Sequence, residues 1–141
     1  MIEESPVLSA RHLLVCEEVI AHETDAKTLY SLENLVITVG LTPPKFPFCI
    51  EKLHLFFQLF GTPGEYSVWF DLVFVDDIQR TTTRVCKCPP RTLNVLPDSF
   101  VTAFGVPVFH LIFDRPGTYE FRLWVEGFDG PLLEERILAE A

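Results

Sequence analysis

Cys86 and Cys88 stand two residues apart, and this Cys-x-Cys spacing is the one metal-like pattern in the chain. In an extended strand, residues two apart point to the same side, so both thiolates reach a single ion. A structural zinc takes four donors in a tetrahedron. The other two would have to come from Cys16, Cys49 or a histidine far along the chain, and no second close pair exists. The expectation is therefore no metal and no cofactor. The four cysteines read as free and mostly structural, since buried cysteine packs as a small hydrophobe.

Nucleophilic catalysis needs a nucleophile, a base and an orienting group together. The histidines are His12, His22, His54 and His110, and no serine sits in a Gly-x-Ser-x-Gly elbow. His110, between Phe109 and Leu111, reads as a satisfied histidine in a packed sheet, and His22-Glu23 as a surface turn. The carboxylate pairs Glu17-Glu18, Asp76-Asp77 and Glu134-Glu135 are adjacent residues. In a strand such neighbours face opposite ways, so Glu17-Glu18 and Glu134-Glu135 cannot converge on one substrate atom. Asp76-Asp77 lies in a turn without the further oxygen ligands of a calcium loop. There is no phosphate-binding glycine loop. No catalytic residue is assigned.

Apolar residues on the wrong face are more informative. If Tyr66, Val68, Phe70 and Leu72 point inward, then Trp69, Val73 and Val75 point outward. On a second strand Trp124 faces outward beside Glu120, Arg122 and Glu126, and Phe56 and Phe60 lie opposite Leu55. Clustered large apolar groups on a surface mark partner or ligand sites. Trp69, Trp124, Phe56 and Phe60 are thus the candidate binding residues, unless loops or terminal side chains cover them.

The elements that carry them announce themselves by repetition. Pro63-Gly64-Glu65-Tyr66 opens one alternating segment and Pro116-Gly117-Thr118-Tyr119 opens another. Proline fixes φ at the first corner and glycine accepts positive φ at the second. Arg11 to Ile20 reads as a first strand with a bulge at Glu17-Glu18. Thr28 to Val39 reads as one strand ending at Gly40, with a helical turn over Ala26 to Leu32 as the competing reading. Ile50 to Phe60 and Glu65 to Val75 form a hairpin through Gly61-Thr62-Pro63-Gly64. Asp76 to Gln79 turns into an edge strand, Arg80 to Cys88. Pro89 to Phe100 is a crossing loop, and Val106 to Phe113, apolar on both faces, is a central strand. Asp129-Gly130 then joins Thr118–Phe128 to a last strand, Leu132 to Ala139, for which a helix is the minority reading. Seven or eight strands with this spacing make an all-β, two-sheet antiparallel sandwich of immunoglobulin-like type. Residues 1–10 form a flexible lead-in and 11–141 a single domain.

With 141 residues, 48% apolar and 13 phenylalanines, the chain can fill a core without staples. Its 11 Lys+Arg stand against 20 Asp+Glu, a net charge of −9, which disfavours nucleic acid and anionic membrane as partners. The first residues lack the basic start and apolar core of a signal peptide, so a cytoplasmic location is the default.

Leu13-Leu14-Val15-Cys16-Glu17, Gly61-x-Pro63-Gly64-x-Tyr66 and Phe113-x-x-Pro116-Gly117-x-Tyr119-x-Phe121-x-Leu123-x-Val125-x-Gly127 together resemble a family of small, uncharacterised bacterial proteins. The resemblance implies an immunoglobulin-like sandwich and supplies no catalytic or binding residue. The expected function is a non-enzymatic interaction or scaffold module, with a protein partner or a second copy of itself held at a sheet edge or the tryptophan face. A carbohydrate-binding sandwich using its outward indoles is the first alternative. A metal or thiol enzyme using Cys86 and Cys88 is the second.

Overall fold

The structure, a computed structural model, describes residues 5–25, 27–97 and 101–140. Ten strands run through them: β1 (Leu8–Glu23), β2 (Thr28–Leu35), β3 (Thr38–Val39), β4 (Phe48–Gly61), β5 (Gly64–Asp76), β6 (Thr81–Lys87), β7 (Arg91–Val95), β8 (Thr102–Phe113), β9 (Gly117–Val125) and β10 (Leu133–Ala139). A four-stranded sheet has the order β2-β1-β4-β8 and a second sheet the order β3-β10-β9-β5-β6, with β7 also paired to β5. Every pairing is antiparallel except β3 with β10. The all-β, two-layer sandwich is as the alternation required.

Its core is the sum of the inward faces. Leu53, Leu55, Phe57 and Leu59 of β4 meet Tyr66, Val68, Phe70 and Leu72 of β5 and Tyr119, Phe121, Leu123 and Val125 of β9, all buried. Phe57 sets its edge against Phe70 at 5.4 Å, and Phe113 its edge against Tyr119 at 5.0 Å. Burying each such ring contributes about 1.5–3 kcal/mol.

Several expectations are corrected. The Pro63-Gly64 turn does not close a hairpin, because β4 and β5 lie in different sheets. It is a corner that carries the chain from one layer to the other, and Pro116-Gly117 does the same between β8 and β9. In both, the tyrosine two residues after the glycine reaches back: Tyr66 Oη donates to the Thr62 carbonyl and Tyr119 Oη lies 2.7 Å from the Arg115 carbonyl. Tyr119 also bonds Asp114 Oδ1 at 2.8 Å and accepts from the Arg115 N–H at 3.1 Å. Burial, above all, pushes the Tyr119 phenol up to about 12. Tyr119→Phe should therefore cost about 1–2 kcal/mol and Tyr66→Phe less, read as shifted urea midpoints at constant m. An unshifted midpoint for Tyr119→Phe would mean the corner bond adds nothing.

The bulge in β1 lies between Arg11 and Leu14, not at Glu17-Glu18, and His12 there has φ 59°. The cause is spacing: Leu8, Ala10, Leu13 and Val15 all face the core, which needs one extra residue in the middle. Thr28 to Val39 is extended as expected but splits between the sheets, β2 beside β1 and β3 beside β10. Of the competing helical turn, Ala26 lies outside the described residues. The strand starts at Leu8 rather than Arg11. The expected crossing loop contains β7, and its end at Phe100 is outside the described residues. Leu133–Ala139 is a strand.

The largest correction concerns β8. It is the edge of its sheet, not a central strand. Its inward residues are Val106, Val108, Leu111 and Phe113, again with one extra residue in the middle. On its partner β4 the inward residues Phe48, Ile50, Leu53 and Leu55 repeat that spacing. The two irregularities face each other, so the register is kept, with Ile50 opposite Leu111 and Leu53 opposite Val108. Glu51, Lys52, Phe109 and His110 are all exposed between them.

Candidate functional site

Trp69 of β5 and Trp124 of β9 are direct cross-strand partners on the outer face of the larger sheet. Their rings are parallel within 4°, with centroids 6.2 Å apart. Trp124 Nε1 donates to Asp71 Oδ1 at 3.0 Å, and Asp71 Oδ2 faces Arg84 Nε at 3.4 Å. Lys87 Nζ sits 5.1 Å from the Trp69 ring. Beside this group Glu120 is held by Arg122 at 3.2 Å and Arg136 at 3.4 Å. Asp71 and Glu120 are 2% and 3% exposed although they point away from the core. Each is paired with arginine, Asp71 with Arg84 and Glu120 with Arg122 and Arg136. Val73 and Val75, outward as expected, are also buried. Glu134 beside Glu120 is pushed up by a hydrogen bond to that carboxyl, then by desolvation and like charge.

Phe56 and Phe60 belong to the outer face of the other sheet, so the four candidate residues divide between opposite surfaces. Phe56 is buried beneath Tyr30, with ring centroids 5.4 Å apart. Tyr30 Oη reaches the Ala103 carbonyl at 3.3 Å, and Val19 packs where a Cβ on Gly105 would stand. The β1–β2 hairpin therefore folds across β4 onto β8. Arg11 lies 5.7 Å from the Phe60 ring.

Cys86 and Cys88 turn toward the core. Burial raises both thiols, Cys88 to about 11, so at neutral pH they are protonated and poorly suited to nucleophilic attack.

The sites that the sequence reading missed lie along the β8 edge. A cavity of about 520 Å³ opens in the seam between β8 and the Cys88–Arg91 junction of β6 and β7. Val68, Phe70, Cys88, Pro90, Val108 and Phe109 supply much of its apolar wall, and Arg91 and His110 its polar rim. Arg91 Nη2 reaches the Pro107 carbonyl at 3.3 Å. Phe109 and Ile112 are exposed on β8 itself. His110, expected to be packed, has a 76% exposed side chain, and its Nδ1 lies 3.1 Å from Glu51 Oε2. Cys49 Sγ lies 3.8 Å from Glu51 Oε1. Desolvation and the neighbouring Glu51 raise the Cys49 thiol. The spacing Val106-x-Val108-x-x-Leu111-x-Phe113 is the signal that could have exposed Phe109 and His110, because strict alternation would have buried one of them.

No protein-family model and no curated protein matches the chain. Among solved structures it is similar to the alkylpurine DNA glycosylase AlkC of Pseudomonas fluorescens bound to DNA containing an abasic-site analogue. That similarity has a TM-score of 0.50 and 18% identity, over 95% of this chain and 30% of that one. It is also similar to the β-glucosidase of Listeria innocua in complex with isofagomine, with a TM-score of 0.51 and 8% identity, over 97% of this chain and 16% of that one. At these identities the likeness is one of fold. The chain spans less than a third of either neighbour.

Proposed function

We propose that this chain is a non-enzymatic, immunoglobulin-like interaction module that holds an extended segment of a partner protein in the β8 seam. The observation that carries this is the 520 Å³ apolar groove beside β8, an edge strand that pairs with β4 alone among the described residues. Concave, mostly apolar sites with few polar groups are where ligands bind, and extended peptides favour sheet edges. The wall from Val106 to His110 is five residues of strand, or about 16 Å, enough for a short extended segment. Arg91 on the rim, and Lys52 beside the Phe109 ring, put positive charge at the groove of a chain whose net charge is −9. The occupant is accordingly a segment that alternates apolar and acidic residues. The size of the two structural neighbours agrees with a sandwich that serves as one part of a larger assembly. Neither neighbour's DNA or glucoside chemistry is carried over.

A random peptide library displayed on phage tests this directly. Selected peptides should alternate apolar and acidic residues, and Phe109→Asp should weaken them at least ten-fold while the melting temperature holds. Failure to enrich such peptides overturns the reading. So does a dimer in sedimentation that Phe109→Asp splits, which would put a second copy in the groove.

The parallel indoles favour a second reading, carbohydrate stacking on Trp69 and Trp124 beside Asp71 and Arg84. Against it, Lys87 stands over Trp69 and the Trp124 N–H is already bonded. Tryptophan fluorescence unmoved by a glycan panel would remove it.

A further inference from the structure

Cys49, Glu51 and His110 offer one thiol, one carboxylate and one imidazole whose donor atoms all lie within 4.8 Å of one another. The strands place them. Cys49 and Glu51 are two apart on β4 and share its outer face. His110 stands across from Glu51, between the paired couples Ile50–Leu111 and Lys52–Phe109. The extra residue in each strand turns Glu51 and His110 outward together.

We infer that these three side chains form a binding site for a divalent ion of the zinc class, with an open fourth position. The spacing fits the ion. Around a tetrahedral zinc with Zn–S of about 2.3 Å and Zn–N or Zn–O of about 2.0 Å, sulfur-to-nitrogen or sulfur-to-oxygen edges are about 3.6 Å and nitrogen-to-oxygen edges about 3.3 Å. The observed contacts are 3.8 Å from Cys49 Sγ to Glu51 Oε1 and 3.1 Å from Glu51 Oε2 to His110 Nδ1. These two contacts use different oxygens of Glu51, and the third edge, Cys49 Sγ to the imidazole, is within 4.8 Å, so side-chain rotation of about 1 Å brings the three donors onto one ion. The donor set selects the metal: thiolate and imidazole suit zinc and its neighbours, while calcium and magnesium take all-oxygen shells. Binding releases the Cys49 thiol proton to solvent and uses neutral His110 through Nδ1.

Three protein ligands leave one position for water, the arrangement of an open site rather than a closed structural one. All three residues are exposed, so the ion is reached from solvent without opening the fold. His110 also lines the seam groove, which puts the open position beside it. The proposal does not depend on a peptide binding there.

Reduced, chelator-stripped protein titrated with Co²⁺ tests the site through the thiolate-to-cobalt charge-transfer band, a readout separate from any peptide binding. One equivalent should saturate the band and Zn²⁺ should displace it. Cys49→Ser should abolish it, and Glu51→Gln and His110→Asn should each weaken binding about ten-fold or more. Asparagine tolerates the positive φ of 56° at position 110, so fold is kept there, with circular dichroism as the check. A Cys86→Ser, Cys88→Ser variant should keep the band unchanged. Absence of a one-equivalent band, or a band that survives Cys49→Ser, overturns the site. A band lost only in the Cys86, Cys88 variant overturns it too, by placing the metal on the Cys-x-Cys pair.

Discussion

Gly61→Ala should destabilise the protein by about 3 kcal/mol or more, close to the largest effect expected of a single added methyl. Two costs coincide there. Gly61 has φ 140°, which residues with a Cβ rarely adopt, and its missing Cβ would fall on the backbone carbonyl of Val7. That carbonyl accepts the Thr62 N–H at 2.8 Å, and the Val7 N–H donates to Thr62 Oγ1 at 3.0 Å. Moving Val7 aside therefore loosens the start of β1 as well as the corner. Gly64 is the internal control, since its φ is 142° but nothing lies within 4 Å of the position a Cβ would take. Gly64→Ala should lose only the conformational part, about 1–2 kcal/mol. Urea unfolding of both variants separates the contributions. Equal losses would show that the contact with Val7 is irrelevant.

Asp71→Ala should cost about 2 kcal/mol and red-shift tryptophan emission. The substitution strips the Trp124 indole of its acceptor and leaves Arg84 without its anion in one step. Asp71→Asn, which keeps an acceptor for the indole, should lose about half as much. Arg84→Ala should also cost less, because Asp71 keeps its bond to Trp124. A change below 0.5 kcal/mol for Asp71→Ala, outside the range expected for a buried hydrogen-bonded charge, would show the outer-face network to be decorative. The same variants bear on function, since a sugar site would lose affinity with Asp71 and a β8-seam site would not.

What could be read from the sequence divides along a physical line. Strand existence and inward faces were legible because period-2 burial is local: Tyr66 to Leu72 and Tyr119 to Val125 point where alternation says. Layer assignment was not, because Pro-Gly serves a corner as well as a hairpin, and only non-local pairing tells them apart. The same holds for β8, whose apolar residues on both faces suit an edge that borders a groove as well as a central position. Trp69 and Trp124 could be placed outward from their own strands, yet their adjacency needed the β5–β9 register. Cys86-x-Cys88 drew attention by proximity in sequence, while Cys49, Glu51 and His110 meet across a strand pair that no local pattern reveals. The matched extra residues in β4 and β8 were legible individually, and their meeting was not.

The parallel pairing of Thr38–Val39 with Leu138–Ala139 joins segments roughly a hundred residues apart, a loop closure that makes this one of the most non-local contacts in the molecule. During synthesis, β3 would wait at the rim of the second sheet until nearly all of the chain to residue 139 has emerged from the ribosome. The edge of β9 that β10 covers and the pairing groups of β3 then remain unsatisfied in every shorter nascent chain. Chaperone capture or aggregation of stalled intermediates should concentrate on that rim, and a slow-translating stretch ahead of β10 would lengthen the exposure.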